Sequence, residues 1–178
     1  MRISSFILTI VVIAFSQCNN NTSGTYLKVD LKDTTLSEQL IKLTQKITNE
    51  PNNDELFYLR SNEWIRTQTL DNALQDINTA LSLKQNNAIY NFKKAELLMA
   101  KDSVDVQEAK LLYKRAIEIE PSFEDAHFKL GKLYVARQEY ENALASFDKL
   151  IDIDLNNASA YFWKGLAFKE NKFEMILI

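Results

Sequence analysis

The sequence predicts an all-α fold, a solenoid of antiparallel helix pairs, on three observations. The 178 residues include only 3 Gly and 2 Pro, too few to punctuate strands and tight turns. Small side chains recur at Ser61, Ala95, Gly131 and Gly165, at spacings of 34, 36 and 34, and a long fixed period of this size marks repeated helix pairs. Inside each period the apolar positions step at i, i+3, i+4 and i+7, as in His127, Leu130, Gly131 and Tyr134, then in Tyr140, Ala143, Leu144 and Phe147, which is the helical rather than the strand period. At 46% hydrophobic the chain has enough apolar material for a continuous core.

Residues 1–17 read as an export signal. Arg2 precedes an apolar run, Phe6 to Phe15, whose ~15 Å helical length is about half the hydrocarbon layer, too short to span it. The single cysteine, Cys18, follows three residues later, and an unpaired thiol in an exported chain needs a reason. The stretch FSQC resembles a bacterial lipoprotein signal, although Gln17 and Phe15 depart from the usual small residue and leucine. That resemblance implies a lipid on Cys18, anchorage to a membrane of the bacterial cell envelope, and exposure at the outer membrane or periplasmic face. Residues 18–35 then read as a flexible tether.

Residues 36–53 form a lone N-terminal capping helix with the stripe Leu36, Leu40, Leu43 and Ile47, and Thr35 with Glu38 reads as its capping box. Three helix pairs follow at 54–87, 88–123 and 124–157. Within them Ala73, Ala109 and Ala143, then Ile77, Tyr113 and Phe147, then Ala80, Ala116 and Leu150 recur at spacings of 36 and 34. The two series agree only if two extra residues lie between Ala95 and Ala109, and the polar stretch Ala100 to Val106 can hold them in a turn. Pro121 closes the second pair, and Ser122 with Asp125 reads as the start of the next helix. Residues 158–178 form an incomplete fourth unit, its second helix starting near Phe173. The whole is expected to be a right-handed solenoid of about seven helices.

These units resemble tetratricopeptide repeats (TPR), with Leu130, Gly131, Tyr134, Tyr140, Ala143 and Phe147 on the signature positions of the most regular copy. Trp64, Ala73 and Ala80 carry the pattern in the first unit, and Ala95, Ala109, Tyr113, Ala116 and Pro121 in the second. The resemblance implies a non-enzymatic scaffold that mediates protein–protein interactions through a concave groove lined by the first helix of each unit. Carried over by register, one groove position reads Tyr58, Phe92, Phe128 and Phe162. The next turn reads Asn62, Glu96, Lys132 and Leu166, and a further turn Ile65, Met99, Val135 and Lys169. We take Tyr58, Asn62, Phe92, Glu96, Phe128, Lys132 and Phe162 as the candidate peptide-binding residues, while noting that the same rings could serve only to pack neighbouring helices.

Catalysis has little to work with. His127 is the sole histidine and falls where other units have Phe57 and Tyr161, so it reads as a packing residue and not as a base or ligand. No two glycines lie close enough for a phosphate loop, and neither a cofactor nor a metal site is expected. A formal charge of -3 and a pI near 5.3 provide no basic field for nucleic acid. Two alternatives accompany the adaptor reading: a structural subunit that self-associates through its open C-terminal end, and a shortened relative of a longer repeat lipoprotein. The apolar ending Met175 to Ile178 motivates both.

Overall fold

The computed structural model describes residues 29–30, 36–101 and 105–176, with the side chains from 173 onward excepted. Cys18, the signal segment, Thr35 and residues 102–104 lie outside that set. The described residues form eight helices and no strand: α1 (Glu38–Asn49), α2 (Asp54–Arg66), α3 (Leu70–Leu83), α4 (Ala88–Ala100), α5 (Val106–Ile119), α6 (Glu124–Ala136), α7 (Tyr140–Ile153) and α8 (Ala158–Ile176). Each packs on its successor in the chain, and α8 also reaches back to α6.

The turns explain how the pairs close. After α2, Gln68 takes φ 60 and after α6, Gln138 takes φ 61. In the first turn Thr69 N–H donates to Trp64 O at 2.8 Å and Gln68 N–H to Ile65 O at 3.0 Å; in the second Glu139 N–H donates to Tyr134 O at 2.9 Å and Gln138 N–H to Val135 O at 3.0 Å. These are Schellman closures, in which one left-handed residue satisfies the last carbonyls and reverses the chain within three residues. The second pair departs from this. Between α4 and α5 lie five residues, 101–105, and Lys101 is extended at φ -83 and ψ 152, so the two-residue excess falls in this connection.

The small residues sit where helix axes meet. Ala73, Ala109 and Ala143 are fully buried. Ser61 Oγ donates to Ala73 O at 2.9 Å across the α2–α3 crossing, which spares a hydroxyl from burial without a partner. At Gly131 an added Cβ would meet the Phe147 ring at 2.7 Å, so any side chain there would force that buried ring to move. Ile77 and Phe147 are fully buried and Tyr113 nearly so, and burying such a side chain contributes about 1.5–3 kcal/mol.

α1 docks through Leu40, Leu43 and Ile47 on a cluster with Phe57, Trp64 and Ile77; Val29, within the segment read as a tether, packs against it. Its cap differs from the sequence reading. Ser37, not Thr35, is the N-cap and accepts from Leu40 N–H at 3.1 Å, while its Oγ donates to Glu63 Oε1 at 2.6 Å, tying α1 to α2. Ser122 likewise does not start α6, whose N-cap is Phe123 without a side-chain bond. α8 brings a further correction. It runs unbroken to Ile176 through Phe173, where the repeat register places the start of a second helix.

Candidate functional site

Tyr58, Phe92, Phe128 and Phe162 occupy equivalent places on α2, α4, α6 and α8, the first helices of their units. Three of the rings are half-buried, and Phe162 is 67% exposed. Tyr58 stacks on Tyr90 of the next unit, centroids 5.2 Å apart. Phe92 leans on Tyr113 at 5.7 Å and Phe123 at 5.0 Å. Phe128 meets Phe147 and Trp163 edge-on, each at 6.4 Å. Phe162 stands perpendicular to Trp163 at 6.0 Å. Tyr58 and Phe128 therefore join neighbouring units, Phe92 and Phe162 pack within their own, and the parts of the four rings left uncovered form an apolar stripe at the surface.

One turn further on, Glu96 and Lys132 behave differently. Glu96 accepts from Tyr113 O–H and pairs with Lys129 of the next unit, so its charge is spent within the protein. Burial, then the bond to Glu96, pushes the Tyr113 hydroxyl well above the usual phenol range. Lys132 instead lies over aromatic faces, its Nζ 5.6 Å from the Phe128 centroid and 4.8 Å from that of Trp163. Among the described residues no carboxylate pairs with it. An ammonium held on ring faces keeps its attraction for an anion while losing part of its hydration. Asn62 is half-buried on the same stripe.

His127 is buried, and its Nε2 lies 2.9 Å from Pro121 O, where it braces the loop before α6. Among the described residues no cluster of His, Cys, Asp or Glu could hold a metal ion, and no helix is long and apolar enough to cross a membrane.

Sequence reasoning missed a buried ion pair. Arg60 donates to Asp76 through Nε at 2.6 Å and Nη2 at 2.7 Å; Trp64 Nε1–H donates to the same carboxylate at 3.1 Å, and Arg60 Nη1 donates to Thr44 Oγ1 at 3.2 Å. Burial pushes the Asp76 carboxyl up, against the opposing pull of Arg60 and Trp64. The pair locks α2, α3 and α1 together. A signal was present: Asp76 interrupts an apolar stripe at the place where α5 has Leu112.

Two of the helix pairs close by left-handed turns, small residues sit at the crossings, and aromatic side chains line the first helices. The fold is a tetratricopeptide-repeat array. Residues 105–136 and 131–172 match the family model described as TPR repeat. Among solved structures the array resembles MamA protein, with a TM-score of 0.67 at 22% identity over 75% of this chain and 72% of that one. It also resembles YrrB, a TPR protein with an unusual peptide-binding site, with a TM-score of 0.63 at 19% identity over 74% and 68% of the two chains. A third likeness is to the first TPR of Spaghetti bound to the HSP90 peptide SRMEEVD, with a TM-score of 0.58 at 15% identity over 65% and 93%. At these identities the likeness is one of fold. No curated protein sequence matches the chain.

Proposed function

We infer that this TPR array is a non-enzymatic adaptor that binds an extended segment of a partner protein along the stripe from Tyr58 to Phe162, and that a lipid on Cys18 holds it at a membrane of the bacterial envelope. The observation that carries the groove reading is Lys132, set over Phe128 and Trp163 and paired with no described carboxylate, next to the exposed Phe162. A cation on a desolvating aromatic bed beside an uncovered ring suits a peptide that offers a carboxylate and a neighbouring apolar side chain. The peptide-bound Spaghetti domain and YrrB are consistent with an array of this fold taking peptides.

Lys132→Glu and Phe162→Ala avoid the half-buried rings Phe92 and Phe128, whose loss would also loosen the packing. In capture from detergent-solubilised membranes, the double variant should lose a specific partner that wild type retains, at unchanged helicity. Equal capture by both would refute the groove. The anchor reading rests on the lone Cys18 beyond a run too short to span. Cys18→Ala should abolish incorporation of labelled fatty acid and release the protein from membranes; unchanged labelling removes that reading.

A further inference from the structure

One contact recurs between the first helices of neighbouring units. The side chain one turn beyond the groove ring of one unit reaches the residue that follows the ring of the next, as Glu96 reaches Lys129 and Lys132 reaches Trp163. Register gives a third pair of the same kind, Asn62 of α2 with Lys93 of α4. Both are half-buried. Among the described residues no carboxylate pairs with Lys93, and the neutral amide of Asn62 cannot cancel its charge. The exposed carboxylates in line with these positions stand well away: Glu55 lies seven residues before Asn62, and Asp125 seven before Lys132, two turns or about 10 Å along their helices. The stripe therefore carries an uncompensated ammonium at its first and third junctions and a neutralised pair at the second.

We propose, on the reading that a partner segment lies in this groove, that Lys93 is a second carboxylate-binding position, so that the segment carries two acidic residues, one for Lys93 and one for Lys132. Charge complementarity selects this occupant, because a half-buried ammonium without a counter-ion favours an anion over a neutral or basic side chain. The helices set the spacing. The first and third junctions are two first helices apart, roughly 16–20 Å at 8–10 Å between packed axes. An extended chain rises ~3.3 Å per residue, which places the two acids about five or six residues apart. Between them the segment passes Phe92, Phe128 and the neutralised Glu96–Lys129 pair, where apolar side chains suit the rings.

The test uses the full chain in detergent as bait for a random library of twelve-residue peptides displayed without free carboxyl termini. Wild type should enrich peptides with two acidic residues about five or six positions apart. Lys93→Gln should lose the preference at one of these positions and keep the other, Lys132→Gln should do the converse, and Lys93→Glu should select a basic residue in place of the acid. For one enriched peptide, fluorescence anisotropy should show roughly fivefold weaker binding to Lys93→Gln at unchanged helicity, with no further loss when the matching acid becomes its amide. Peptides with a single acid, or with acids at no fixed spacing, that depend on Lys132 and are indifferent to Lys93→Gln overturn the second position and leave the groove standing. Enrichment indifferent to both lysines and to Phe162→Ala, or no enrichment at all, overturns both.

Discussion

At the scale of single residues, the least replaceable polar contact is Arg60 with Asp76, the side chains 1% and 0% exposed. Buried pairs of this kind often stabilise little compared with an apolar replacement, yet breaking one leaves a charge in a low dielectric. Asp76→Leu should therefore cost about 3–5 kcal/mol in urea unfolding, whereas Arg60→Met combined with Asp76→Leu should recover most of that loss. A double variant as unstable as the single one would contradict the pairing. The pair was hard to read in the sequence because its members are 16 apart and, although Lys94 and Lys164 stand in register with Arg60, no other unit repeats the carboxylate of Asp76. Glu96 and Lys132 show the converse limit. Register placed both on one stripe, but only the contacts with Lys129, Tyr113, Phe128 and Trp163 distinguish a neutralised carboxylate from an available ammonium.

At the scale of elements, the helix pairs depend on how their turns close. Gln68 and Gln138 hold left-handed conformations that cost an L-residue roughly 1–2 kcal/mol relative to glycine's easy access, partly offset by the entropy glycine loses on folding. Gln138→Gly should raise thermal stability modestly, by up to about 1 kcal/mol, and Gln138→Val should lower it. A stabilising Gln138→Val would mean that the turn is not the left-handed closure described here. The helix-pair periodicity was legible because small residues at each crossing recur at fixed spacing. The caps were less so: a hydroxyl can cap from several adjacent positions, and Ser37 rather than Thr35 is the one aligned on Leu40 N–H. The end of α8 was misread for a related reason. The stretch Glu170 to Ile176 has no Gly or Pro to stop a helix, and among the described residues no second helix lies against Gly165, so the backbone continues its own hydrogen-bonded ladder.

At the scale of the whole molecule, the array offers two chemically different surfaces. Along the first helices runs an aromatic stripe with a ring-bound cation, and on the second helices lie exposed positions such as the polar Asn142 and Lys149 and, between them, Ala145. The proposed binding runs along the first of these. It is tested most directly by placing a photo-activated cross-linking amino acid at Asn62 on the stripe and, separately, at Ala145 on α7, then irradiating cells that express the full chain. Position 62 should give one discrete partner adduct, abolished by Lys132→Glu with Phe162→Ala, and position 145 none. An adduct from position 145 that survives the groove substitutions, with none from 62, would contradict it.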